Sequence, residues 1–196
     1  MVYHFEYEPA GSSFPKFELV EGGSKVIVED QSADGGVGIL GNSHFSGRKV
    51  LPDSIPRVIR RFTKRSLQDL EGQLVNTVSD RLKRLIESLE PDTHQFLPVQ
   101  YINAGDETIE TRWFWQICNR LDTVHREQSD AELVGLAWRE REGRQRNLVL
   151  DVARIGNAMF WCDKHLTLNP FMSEKAHTAL TQASMTGFRF TKYYQA

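Results

Sequence analysis

The chain has 196 residues, 40% of them hydrophobic and 26% charged, and a formal net charge of −2. That length suits one domain or two small ones and can bury a sizeable core. The near-neutral balance gives no global reason to expect a nucleic-acid partner, and no apolar run approaches the roughly 18 residues a membrane-spanning helix needs.

Val2 to Tyr7 alternates apolar and polar side chains and lacks a basic start followed by an apolar stretch, so it reads as a strand rather than a signal peptide and places the protein in the cytoplasm. Lys16 to Val20 and Lys25 to Glu29 read as further strands between Gly22-Gly23, Gly35-Gly36 and Gly41-Asn42, giving a β-rich opening over residues 1–52. From Asp53 the spacing changes. Ile55, Val58, Ile59 and Phe62 fall on one helical face, with Arg57, Arg60, Arg61, Lys64 and Arg65 on the others, which predicts a short helix. Leu67 to Gly72 reads as polar linker or a further helical turn. Asp80 to Leu89 is a second, amphipathic helix, with Leu82, Leu85, Ile86 and Leu89 on one face and Ser79 as its cap.

Extended segments follow over residues 94–102, 111–124, 133–139, 147–152 and 158–163, punctuated by Ala104-Gly105-Asp106 and Glu142-Gly143-Arg144. A last helix, Ser173 to Ser184, releases a strand from Phe188 to Tyr194. A shift of 94 positions carries Ser79 onto Ser173, the apolar face of the earlier helix onto Ala176, Ala179, Leu180 and Ala183, and Phe96 onto Phe190. The expected class is α+β: mainly antiparallel strands, a few amphipathic helices and two similar helix-then-strand units. Residues 53–196 form the main domain beside the β-rich segment 1–52, or the whole chain is continuous.

Few residues carry an explicit chemistry. Gly36-Val37-Gly38-Ile39-Leu40-Gly41 fits the dinucleotide pattern, but turn-like residues follow where a helix N-terminus should receive the pyrophosphate. Cys118 and Cys162 lie in apolar segments read as strand and are expected to be buried free thiols; a nucleophilic cysteine would need a base such as His125 or His165. The six histidines show no metal-ligand spacing. Asp122, Asp151 and Asp163 sit at strand ends, where aspartate commonly serves turn chemistry. Two basic groups, Arg57 to Arg65 and Arg139 to Arg146, read as a solvated helix face and a charged hairpin tip rather than a phosphate-binding surface, since the first has no aromatic stacking platform; as charge for docking an acidic protein the first is more credible. In Trp113-Phe114-Trp115 the two tryptophans share one strand face and Phe114 takes the other; the trio reads as core, and an exposed member would make a binding anchor.

Several ordered runs carry a resemblance: Glu87-Ser88-Leu89-Glu90-Pro91 with His94-Gln95-Phe96-Leu97-Pro98-Val99, Trp115-Gln116-Ile117-Cys118-Asn119-Arg120-Leu121-Asp122-Thr123-Val124, Ala153-Arg154-Ile155-Gly156, Phe160-Trp161, Asp163-Lys164-His165-Leu166 and Gly187-Phe188-Arg189-Phe190. Together they resemble a bacterial family of polymorphic-toxin immunity proteins, the one numbered eleven, over about residues 78–194. The resemblance implies a cytoplasmic protein that binds and blocks one cognate secreted toxin, with no enzymatic activity, cofactor or metal. It assigns no binding role to Asn119, Arg120, Asp122, Arg154, Gly156, Asp163 or His165, which are expected to hold the fold. The surface expected to meet the toxin comprises Arg57, Arg60, Arg61, Arg65, Arg141, Arg144 and Trp113, and a homodimer stays open. A hydrolase that reverses a toxin's modification and a nucleic-acid-binding module are the competing classes.

Overall fold

The structure, a computed structural model, describes residues 1–9, 16–29, 45–62, 65–72, 75–135, 137–140, 147–166 and 170–196. Strands β1 (Val2–Tyr7), β2 (Phe17–Gly22), β3 (Pro56–Arg61), β4 (Leu70–Glu71) and β5 (Thr77–Val78) precede helix α1 (Asp80–Leu89). Then come β6 (Gln95–Ile102), β7 (Thr108–Gln116), β8 (Arg120–Leu121), β9 (Ala131–Val134), β10 (Ala137–Glu140) and β11 (Val149–Leu150). The short helix α2 (Val152–Ile155) leads to β12 (Phe160–Asp163), β13 (Phe171–Ser173), α3 (Glu174–Gln182) and β14 (Phe188–Gln195).

Strands dominate, as the α+β expectation has it, but the sheets are mixed rather than mainly antiparallel. One runs β2-β3-β6-β7-β5-β4 with β3 parallel to β6; the other runs β11-β14-β1-β13-β12-β8 with parallel pairs β11–β14 and β12–β8. Strands β9 and β10 form a separate hairpin.

The expected helix from Asp53 is a single 3-10 turn, Pro52–Ser54, followed by strand β3. Ile55, Val58, Ile59 and Phe62 satisfy a helical spacing by coincidence. The β-branched Val58 and Ile59 favour a pleated surface, and β3 gains a ladder on both sides, from β2 and β6. The segment read as linker or helical turn carries β4. The extended stretch 133–139 is broken by Gly135 at φ +62° into the β9–β10 hairpin. The stretch from Thr111 ends its ladder at Gln116, so Cys118 lies beyond the strand.

The helix-then-strand echo extends to whole sheets. In each, the strand leading into the helix (β5, β13) and the strand leaving it (β6, β14) flank a shared antiparallel neighbour, β7 in one sheet and β1 in the other. β4 and β12 lie outside antiparallel; β3 and β11 lie outside parallel. The register agrees residue by residue: Phe96 pairs with Trp115 and Phe190 with Phe5, while Thr77 pairs with Phe114 and Phe171 with His4. Ser79 and Ser173 cap α1 and α3 alike, each hydroxyl accepting from the backbone N–H three residues on at 3.2 Å.

The chain thus builds one unit from contiguous sequence and completes its twin with the N-terminal strand. Phe5, Leu70, Val78, Leu82, Ile86, Trp115, Phe160, Met172, Ala176 and Leu180 form a core between them, drawn from both sheets and from helices α1 and α3. Each sheet's outer face covers its own smaller core, around Ile59, Val99 and Phe114 in one and Trp161, Leu150 and Phe171 in the other.

Two carboxylates lock the units crosswise. Glu90, closing α1, accepts the N–H groups of Met159 (2.9 Å) and Phe160 (3.0 Å) at the start of β12, plus Asn119 Nδ2 (3.0 Å), and bonds His94 Nε2 (2.8 Å). Asp69, beside β4, accepts the N–H (2.9 Å) and hydroxyl (3.0 Å) of Thr186, which follows α3. Burial pushes both carboxyls up, and the donors facing them more than reverse it, leaving Glu90 lowered and Asp69 at about 2.

Candidate functional site

A groove of about 760 Å³ lies where the end of β3 meets the β6–β7 hairpin. Asn103 Oδ1 fixes the hairpin tip by accepting the N–H groups of Gly105 (2.8 Å) and Glu107 (3.0 Å). Arg60 ties the tip to the sheet, bridging Asp106 (2.7 Å) and Glu18 on β2 (2.7 Å). Phe62 and Ile109, 48% and 43% exposed, stand on the lips with Leu67, while Arg61, Arg65 and Glu110 supply charge.

Arg61 is 4% exposed and marks the edge of a buried polar cluster. Its Nη2 donates to the Arg65 carbonyl at 2.6 Å and its guanidinium lies over the Phe17 ring; its Nε has no hydrogen-bond partner among the described residues. Burial lowers its pKa. Arg112, 1% exposed, donates from Nη2 to the carbonyls of Gln68 (2.6 Å) and Asp69 (2.8 Å), and from Nη1 to Glu110 (3.2 Å). Glu71 accepts from the Tyr7 hydroxyl (2.9 Å) and the Gln68 N–H (2.8 Å). Tyr101 bonds Thr77 at 2.8 Å. Burial pushes the Tyr101 hydroxyl up to about 12 and Tyr7 higher still, so both stay protonated at neutral pH.

The structure splits the residues expected to meet a partner. Arg61 and Arg65 share the groove, and Arg60 braces its rim. Arg57 points away, paired with Glu21 at 3.0 Å. Arg57, Arg60 and Arg61 are therefore not one solvated helix face: two are matched to carboxylates on the sheet surface and the third is buried. Trp113 shares its face with Trp115, as the alternation requires, and is half-buried under Lys83, whose Nζ stands 4.8 Å from the ring centroid. It lines a different concavity with Glu29, Asp92 and Phe96. Arg141 and Arg144 lie outside the described residues, as do Gly36 to Gly41.

Sequence reasoning missed Phe62, Ile109, Glu110, Arg112, Glu71 and Tyr101. One signal was available: Arg112 shares its strand parity with Phe114, so the alternation puts a charged side chain on the same face as a large apolar one.

The family-motif residues do structural work. Asn119 donates to Glu90 and to the Phe160 carbonyl (2.9 Å). Asp163 accepts from the Thr123 N–H (2.6 Å), the Thr123 hydroxyl (2.8 Å) and the His165 N–H (2.8 Å). Asp122 pairs with Arg154 at 3.1 Å, Asp151 caps α2, and Gly156 takes φ +57°, a conformation that favours glycine. Both cysteines are free. Burial pushes the Cys118 thiol up to about 11 and Cys162 higher, opposite to an activated nucleophile. Among the described residues no set of His, Cys, Asp and Glu is grouped to hold a metal ion, and no helix is long and apolar enough to cross a membrane.

No curated protein matches the chain significantly. The model of the Immunity protein family (Imm11) matches residues 16–195, nearly the full length. The chain belongs to the Imm11 immunity protein family.

Proposed function

We propose that the protein binds one cognate antibacterial toxin in the cytoplasm of the producing cell and neutralises it by direct occlusion, without a catalytic step. The family match over residues 16–195 carries this reading. Burial supports it: the Cys118 and Cys162 thiols and the Tyr7 and Tyr101 hydroxyls are held protonated, while apolar side chains stand exposed beside charge on the groove, the mixture a protein interface uses. Arg57 and Arg60 are already matched by Glu21, Glu18 and Asp106, which removes charge a phosphate backbone would need.

The test is a titration of toxin activity against purified protein. A binder protects in proportion to its amount and saturates near one protein per toxin. A hydrolase that reverses the toxin's modification protects at amounts far below the toxin's and loses that capacity when one carboxylate is replaced in a protein that still folds.

A further inference from the structure

We infer that the groove between β3 and the β6–β7 hairpin grips the toxin through an acidic segment, a carboxylate side chain flanked by apolar neighbours; this deepens the immunity reading and rests on it. The twin unit supplies the comparison. Sheet register places Arg112 where the other sheet has Val2, Glu71 where it has Trp161, and Thr77 where it has Phe171. In that sheet all three positions belong to an apolar core, so the fold can be built without charge there. Buried ionic groups are generally no more stabilising than well-packed apolar ones, so keeping them beneath one groove points to recognition rather than stability.

Arg61 gives the sign of the ligand. Arg61 and Arg112 are both almost wholly buried, and the equally buried Glu71 acts on Arg61 only through space, its two oxygens being engaged by Tyr7 and Gln68. Glu110 at the rim is matched to Arg112. Arg61, which lines the groove, has no carboxylate bonded to it among the described residues: its Nη2 donates to the Arg65 carbonyl and its Nε has no partner, so one buried guanidinium keeps charge and donor capacity that the fold does not consume. Phe62 and Ile109 expose apolar surface directly beside it. A free inorganic anion would use the charge and leave those lips bare; a peptide segment uses both.

The experiment compares the wild type with a Phe62→Asp/Ile109→Asp double variant, whose sites are exposed, and with a Val134→Asp/Tyr194→Asp control at exposed apolar positions on β9 and β14. The probe is the toxin domain recovered with a tagged copy from its own cells. The expected result is a Kd weakened at least about tenfold for the groove variant alone, with its melting temperature held. An unchanged Kd overturns the groove assignment and leaves the immunity reading standing. Failure to recover any toxin counts against the immunity reading instead, and a phage-displayed peptide library then decides the groove. Selection of Asp or Glu between apolar residues by the wild type and not by the groove variant supports the proposal. Selection indifferent to acidic residues, or inorganic phosphate displacing every selected peptide, overturns it.

Discussion

Phe5 stacks on Trp115 across the molecular centre, ring centroids 5.7 Å apart and planes within 14°, and the two occupy the same position in twin sheets. Each stands opposite an equivalent phenylalanine, Phe190 for Phe5 and Phe96 for Trp115. This pair joins the units at their pseudo-symmetric midpoint. Phe5→Ala and Trp115→Ala should each destabilise the fold by about 3–5 kcal/mol, the usual cost of emptying a buried aromatic site. Denaturant unfolding of both single variants and the double variant should return a coupling of about 1 kcal/mol; additive effects would show that the stack contributes nothing beyond burial.

His4 tests how β1 completes its sheet. It pairs with Phe171 on one side and Thr191 on the other, so a proline there breaks the ladder in a central strand. His4→Pro should cost about 3 kcal/mol or more. Leu19→Pro on edge strand β2, paired only with β3, should cost clearly less. Equal losses, measured by thermal unfolding, would contradict the placement of β1.

Asp69 sets an acid limit. Arg81 (2.6 Å), Ser79 (2.8 Å) and Thr186 hold its carboxyl at about 2 against the ordinary 3.8. A carboxylate lowered by folding contributes stability above its unfolded value and loses it as pH falls toward its folded value, here between about pH 4 and pH 2. The contribution is about 2 kcal/mol. In Asp69→Asn the unfolding free energy should be lower by that order at pH 7 and should lose the part of its slope that lies in this window. An unchanged slope would show that Asp69 titrates normally.

Much of the fold was legible in the sequence because two short-range signals repeat: a serine cap and an apolar helical face, ninety-four residues apart. The twin of β7 was not legible, since β1 stands in that place from the other end of the chain, and Trp115 and Phe5 share only aromatic character. Strand β3 was misread because its apolar residues satisfy a helical spacing, and the parallel partner β6 that overrules it lies about forty residues downstream. The groove was half legible. Arg61 and Arg65 stood out as basic, but the lips join the end of β3 to a distant hairpin, and that contact is made only by the sheet.

The most direct measurement is the stoichiometry of protection: a fixed amount of the co-purified toxin domain, its activity followed as the protein is added. The account predicts a linear fall to zero at one protein per toxin, with the complex recoverable intact by size-exclusion chromatography. Full protection at a small fraction of that amount, with no complex, would contradict it.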